Sequence, residues 1–248
     1  MKTSFLGVCA LTSSLLPTSV FAGDEPDANA LLRDADRARG GLERGVTWTV
    51  ELESTEDGET TKRTFLVKAR GNDALSEAVA PPRHKGEVML FNDRTLWFLK
   101  PGLKKPVSIS ARQKLSGMAS NGDIASTNYA RDYDGKVAAT ETIDGEQTYR
   151  LDLSAKAKNV TYDRIRYWVS KSRRLAVKAE FLTLEGQVFK WAKFEYGNKS
   201  KIDGKELDLV KTMTIVDSAS QNQTVIRYSE AKAEDHPPSM FNVNNVAR

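Results

Sequence analysis

The sequence is almost without cysteine: Cys9 is the only one in 248 residues. It sits in an apolar run, Phe5 to Leu16, behind Lys2 and ahead of Val20-Phe21-Ala22. That three-part pattern predicts a secretory leader, residues 1–22, cleaved after Ala22. Thr12, Ser13, Ser14 and Pro17 interrupt the run, which falls short of the roughly 20 apolar residues a membrane span needs. Residues 23–248 then hold no cysteine, which excludes disulfides, thiol chemistry and sulfur-ligated metal. An exported chain without disulfides must be stable through its core alone, which suits a bacterial periplasm.

Histidine is nearly as scarce, with His84 after Pro81-Pro82 and His236 before Pro237-Pro238. Neither has metal-ligand spacing, so no metal and no cofactor is expected. No G-x-S-x-G or Walker pattern occurs. Asp132 and Asp134 lie close together, but Asp134-Gly135 reads as a turn, and a raised-pKa carboxylate pair needs burial. An enzyme is therefore not expected. A one-sided charge is missing too. The net charge is +4, or +3 once Lys2 leaves with the leader, and both signs are mixed along the chain. That gives no nucleic-acid stripe. Lys104-Lys105 reads as a solvated link, too weak a signal for lipid phosphate by itself. Asn159, Asn198 and Asn222 begin Asn-x-Ser/Thr triplets and are read as loop positions.

What the sequence does have is alternation. Pro26 to Arg39 forms the one clear helix, with Ala28, Leu31, Leu32 and Ala35 as its apolar stripe and Gly40-Gly41 as its stop. From Thr47 onward, strand patterns recur between short turns. Trp48, Val50 and Leu52 alternate with polar neighbours, and Phe65, Val67 and Ala69 answer them across Asp57-Gly58. Val88–Phe91 and Thr95–Leu99 flank Asn92-Asp93. Lys136–Ile143 and Gln147–Leu153 flank Asp144-Gly145, and Asp203-Gly204 precedes Leu207–Asp217. Asp-Gly between alternating runs is a strong hairpin signal. About eleven strands and at most two or three helices follow, mostly antiparallel.

Several strands are apolar on both faces. Leu96 and Phe98 oppose Trp97 and Leu99, and Phe189 and Trp191 oppose Phe194 and Tyr196. A filled β-sandwich gives similar alternation. The helix before the first strand and one long polar segment, Ala111 to Tyr129, favour a curved sheet wrapping a helix. Long irregular segments in compact domains tend to be lids. Shared parity predicts that Trp48, Val50, Phe65, Val67, Trp97, Tyr167, Val177 and Phe181 face one apolar space. Leu115, Met118 and Ile124 would be the lid's apolar contacts, with Gly117 and Gly122 as its hinges.

Leu96-Trp97-Phe98-Leu99-Lys100-Pro101-Gly102-Leu103-Lys104-Lys105, then Ile109-Ser110, then Asn121-Gly122-Asp123-Ile124, resembles the LolA-like outer-membrane lipoprotein-sorting family, in its branch associated with RND-type transporters. The order of elements and Met240-Phe241 after Pro237-Pro238 extend the resemblance over residues 23–248. It implies an α+β, mostly antiparallel fold: one half-barrel domain of about eleven strands, with helices covering an apolar concave side. It also implies a periplasmic, non-enzymatic carrier of lipid or lipoprotein acyl chains, with an inner-membrane RND-type transporter and an outer-membrane acceptor as partners. The same fold could instead serve as an envelope sensor or a structural accessory of a transporter. Met118-Ala119-Ser120-Asn121 departs from the resemblance in being more polar than the aromatic-rich lid of the family.

Overall fold

In a computed structural model of the chain, residues 26–92, 94–125, 128–202 and 204–246 are described. The expected leader, and Asp93 and Asp203 in two of the expected turns, lie outside them. Among the described residues no helix is long and apolar enough to cross a membrane.

Helix α1 (Ala28–Ala38) opens the described chain. Asp27, rather than Pro26, starts it: its carboxylate accepts the backbone N–H of Asn29 at 2.9 Å, supplying a partner that a helix's first turn lacks. Leu31, Leu32 and Ala35 are fully buried, as their spacing requires. A first meander follows: β1 (Val46–Glu56), β2 (Glu59–Arg70), β3 (Asp73–Ala80), β4 (Val88–Asn92), β5 (Thr95–Leu99) and β6 (Val107–Ile109). A short two-stranded hairpin, β7 (Lys114–Ser116) with β8 (Ala119–Ser120), leads into α2 (Asn121–Ala125) and α3 (Tyr129–Asp132). The second meander comprises β9 (Tyr133–Ile143), β10 (Glu146–Ala155), β11 (Arg164–Ser170), β12 (Ala176–Leu182), β13 (Val188–Ile202), β14 (Lys205–Asp217) and β15 (Gln223–Ala233). A 3-10 turn (Pro238–Phe241) and α4 (Val243–Val246) end the described chain.

Thirteen strands make one open, curved antiparallel sheet in the order β6-β5-β4-β3-β2-β1-β15-β14-β13-β12-β11-β10-β9. Each meander pairs neighbours in sequence, and the two join only where β1 meets β15. The sheet has more than the expected eleven strands because β3 and β6 carry weak signals. Asp73–Ala80 holds three alanines, an Asp and a Glu, residues of low strand propensity, and pairing on both sides overrides that preference. The Asp57-Gly58 and Asp144-Gly145 turns form as expected, with positive φ at both residues of each, as a tight right-twisted hairpin demands.

The inner face of the sheet and the helices enclose one continuous core. The outer face explains the strands that are apolar on both sides. In the β4–β5 hairpin, Met89 pairs with Phe98 and Phe91 with Leu96, all turned inward, while Leu90 pairs with Trp97 on the other side. The turn Pro238–Phe241 packs over β3 and β4, and Leu90 and Phe241 are both fully buried. Of the three Asn-x-Ser/Thr positions, Asn198 is not in a loop. It lies in β13 beside a register shift, and its side-chain amide donates to the carbonyls of Val210 and Tyr228 at 2.6 and 2.8 Å.

Candidate functional site

Strands β6 and β9 are the two outermost strands of the sheet, yet they are neighbours in sequence apart from residues 110–132. A chain that joins opposite edges of an open curved sheet has to cross its mouth. Residues 110–125 and 128–132 lie on the inner face as a strap, and this places the candidate site.

The tip of the strap's hairpin docks on hydroxyl groups. Ser116 Oγ lies 3.0 Å from Ser54 Oγ, the Thr224 hydroxyl donates to Ser54 at 3.1 Å, and Met118 N–H donates to Thr224 Oγ1 at 2.8 Å. Gly117 sits at φ +53°, and a Cβ there would come within 2.3 Å of Thr224 Oγ1 and 2.5 Å of Ser54 Cβ. A Cβ on Gly122 would lie 2.0 Å from Thr161 Oγ1. Both glycines are therefore positions of close approach, not the free hinges expected of them. At the strap's far side a buried charged cluster pins it to β13. Lys190 donates to Met118 C=O at 2.8 Å and lies 3.7 Å from Asp123. Asp123 also accepts from Tyr162 Oη and from Ser120 N–H, at 2.8 and 2.7 Å. Burial pushes the Lys190 ammonium down, and Asp123 opposes that shift.

Six of the eight expected wall residues share the core: Trp48, Val50, Phe65, Val67, Tyr167 and Phe181. Two do not. Trp97 is turned to the outer face, because the β4–β5 register gives the inward positions to Leu96 and Phe98. Val177 drops out at a bulge: Trp168 pairs with Lys178 but Val169 with Ala176, leaving Val177 as the extra residue. Of the lid residues, Ile124 is buried in the core, while Leu115 and Met118 are half-buried against it.

The interior is filled by the chain itself. Arg39 is buried at the end of α1, its guanidinium 4.8 Å from the centre of Phe194 and 5.1 Å from that of Tyr129. Tyr129 packs edge-on against Tyr133 and Tyr167. Between Arg39, Trp48, Val67, Ile124 and Tyr228 only about 20 Å³ is left, room for about one water. An apolar space lies at the rim of the first meander under the strap. It is a groove of about 260 Å³ floored by Phe65, Met89, Phe98 and Ile109 and roofed by Leu115. Arg63, Glu87, Lys114 and Asn121 supply its polar margin. Of the expected site residues, Phe65 and Leu115 line this groove.

Arg39, Arg63 and Lys190 escaped the sequence reading, although each carries a readable signal. Arg39 continues the Leu32–Ala35 stripe of α1. Arg63 shares the parity of Phe65 and Val67, and Lys190 that of Ala192 and Phe194. A charge at an inward position is the sign of a buried polar function. Asp132 is held by Arg94 and Arg131 at 3.2 and 2.8 Å, and Asp134 is exposed. Among the described residues no three His, Asp, Glu or Cys side chains converge as a metal site would require.

A family model described as "Uncharacterized protein" matches residues 70–248. No curated protein matches the chain. Among solved structures, a LolA superfamily protein from Nitrosomonas europaea is 28% identical, with a TM-score of 0.77 over 88% of this chain and 98% of that one. A putative outer membrane lipoprotein-sorting protein domain from Vibrio parahaemolyticus is 20% identical, with a TM-score of 0.74 over 90% of this chain and 100% of that one. A DUF1329 family protein from Desulfovibrio piger is also 20% identical, with a TM-score of 0.73 over 88% and 97% of the two chains. The last two bear on the fold alone.

Proposed function

We propose that this chain, which belongs to the LolA-like family, is a non-enzymatic periplasmic protein that binds acyl chains of a lipid or lipoprotein under its strap. The observation that carries the reading is the apolar groove at the rim, where Phe65, Met89, Phe98, Ile109 and Leu115 meet. Each methylene moved from water into such a surface is favourable by about 0.8 kcal/mol, so an apolar groove can hold a chain without chemistry. The strap supports release. Its tip, through Ser116 and Met118, rests on the Ser54 and Thr224 hydroxyls, which water can replace when the tip lifts. The strap acts as the lid of this site, with Leu115 as its contact to the chain. An inner-membrane RND-type transporter as donor and an outer-membrane acceptor belong to the same proposal.

The filled interior favours a second reading. Among the described residues the interior is occupied by Arg39, Tyr129, Tyr133 and Tyr167, which suits a sensor or accessory of a transporter that needs no deep cavity. Native mass spectrometry of the protein purified from its own envelope separates the two. A lipid adduct that is lost on Leu115→Arg supports carriage in the groove. A folded protein without adduct supports the accessory reading.

A further inference from the structure

Arg63 lies on the inward parity of β2, at the polar end of the groove, with only 15% of its side chain exposed. Its guanidinium packs over Phe65, 5.1 Å from the ring centre. One terminal nitrogen donates to Leu115 C=O at 3.2 Å and the other to Glu87 at 3.1 Å. Glu87 is shared, since both of its oxygens also lie 3.0–3.1 Å from His84 Nδ1. Arg63 Nε is buried and has no hydrogen-bond partner among the described residues. A buried charged N–H left unpaired is costly, and such a group in a folded protein calls for an explanation. Burial pushes the Arg63 guanidinium down, and Glu87 offsets that only in part, with Arg83 adding to the downward shift. Lys114 stands at the rim, paired with Glu56 and largely exposed. Among the residues lining the groove, Arg63 and Lys114 stand against Glu87 alone, an excess of one positive charge beside an apolar floor.

We infer that the groove takes a single-chain amphiphile with an anionic head, its chain on Phe65, Met89, Phe98, Ile109 and Leu115 and its carboxylate, phosphate or sulfate at Arg63 and Lys114. The inference rests on the acyl-binding reading above and narrows it. When the strap lifts and Leu115 C=O leaves the guanidinium, the head supplies the acceptor that the enclosed Arg63 Nε lacks, and anion–guanidinium hydrogen bonds are among the stronger ones. The chain count follows from volume. At about 260 Å³ the groove is smaller than the roughly 300–1,000 Å³ of pockets that bury drug-sized ligands, so one chain fits and several do not.

The test is calorimetric titration of the full chain with dodecyl phosphate and with dodecyltrimethylammonium, both kept below their micelle concentrations. Dodecyl phosphate should bind about tenfold tighter, the equivalent of one good charge-assisted contact. Arg63→Met should bring the two affinities together, and Ile109→Trp, which fills the floor, should abolish both. Equal affinities in the unmodified protein overturn the anionic head, and a preference that survives Arg63→Met overturns its placement at Arg63; either result leaves acyl binding standing. If neither amphiphile binds the unmodified protein, acyl binding itself fails and the inference with it. Lysophosphatidylglycerol should bind, whereas vesicles of diacyl phosphatidylglycerol should yield no complex; extraction of the diacyl lipid at comparable affinity overturns the single-chain claim. Melting by circular dichroism checks each variant. Should Arg63→Met not fold, Arg63→Lys, which keeps the charge but has no Nε, should reduce the preference several-fold.

Discussion

Asp36 is a buried carboxyl at the end of α1. One of its carboxyl oxygens accepts Ala130 N–H at 2.8 Å, and the other is buried without a partner among the described residues. Burial pushes its pKa up to about 7, against the opposing pull of that hydrogen bond and of Arg39. The folded state therefore holds a proton that the unfolded state has released between about pH 4 and pH 7. The stability this proton contributes is complete below pH 4 and is lost as pH rises through 7, by at most about 4 kcal/mol. Denaturant titrations should accordingly show the unfolding free energy of Asp36→Asn varying less between pH 4.5 and 7.5 than that of the unmodified protein, with the variant the more stable at pH 7.5. Parallel curves would mean that the carboxylate is solvated in the folded state. At Gly117, both φ and the nearby Ser54 and Thr224 forbid a side chain, so Gly117→Ala should cost about 2–3 kcal/mol. Gly71→Ala, at the same φ but with nothing within 4 Å, should cost about 1 kcal/mol. Equal losses in thermal melts would remove the argument that the hairpin tip is tightly docked.

At the scale of elements, the strap is fastened by a hydroxyl cluster at its tip and by Lys190 with Asp123 at its base. Lys190→Met leaves Asp123 buried without its cation and should destabilise by about 3 kcal/mol, and adding Asp123→Asn should recover at least half of that. Strict additivity of the two changes would show that the residues act independently. The strap's role as a lid predicts that dodecyl phosphate slows hydrogen exchange in residues 111–124 and leaves β9–β12 unchanged; no change in the strap while the ligand is bound would make it a fixed connector. The elements differ in how far the sequence disclosed them. Strands bounded by Asp-Gly turns, such as β1–β2 and β9–β10, were legible because turn chemistry and alternation agree. Strand β3 was hidden by helix-prone composition and is made by its neighbours. Inward parity was legible at six positions because it survives wherever the register is regular, and it failed at Val177, where a bulge breaks parity, and at Trp97, where two faces of one hairpin are both apolar. The charges in the core were overlooked because alternation was read for its apolar members alone, and their meaning depends on partners far away in sequence, such as Asp123 for Lys190.

The whole molecule is two sequential meanders, six strands and seven, stitched along the single seam of β1 and β15. Pairing within each meander is local, whereas the seam joins residues nearly the whole chain apart, such as Leu52 with Ile226. Non-local closure is slow because loop entropy must be overcome before contacts form. Leu52→Ala and Ile226→Ala should therefore lower the refolding rate in stopped-flow measurements, whereas Val137→Ala in β9 should act mainly by speeding unfolding. The reverse pattern would place the seam after the rate-limiting step. The same strand order makes the strap a bowstring. Its two anchor points are the tips of the bow, β6 and β9, and its contour sets how far those tips can spread. With the string bonded along the inner face, the sheet is held bent. On the reading proposed above, lifting the string would slacken the bow and uncover the groove in one movement, which would make the molecule's curvature and its access to a ligand a single mechanical coordinate.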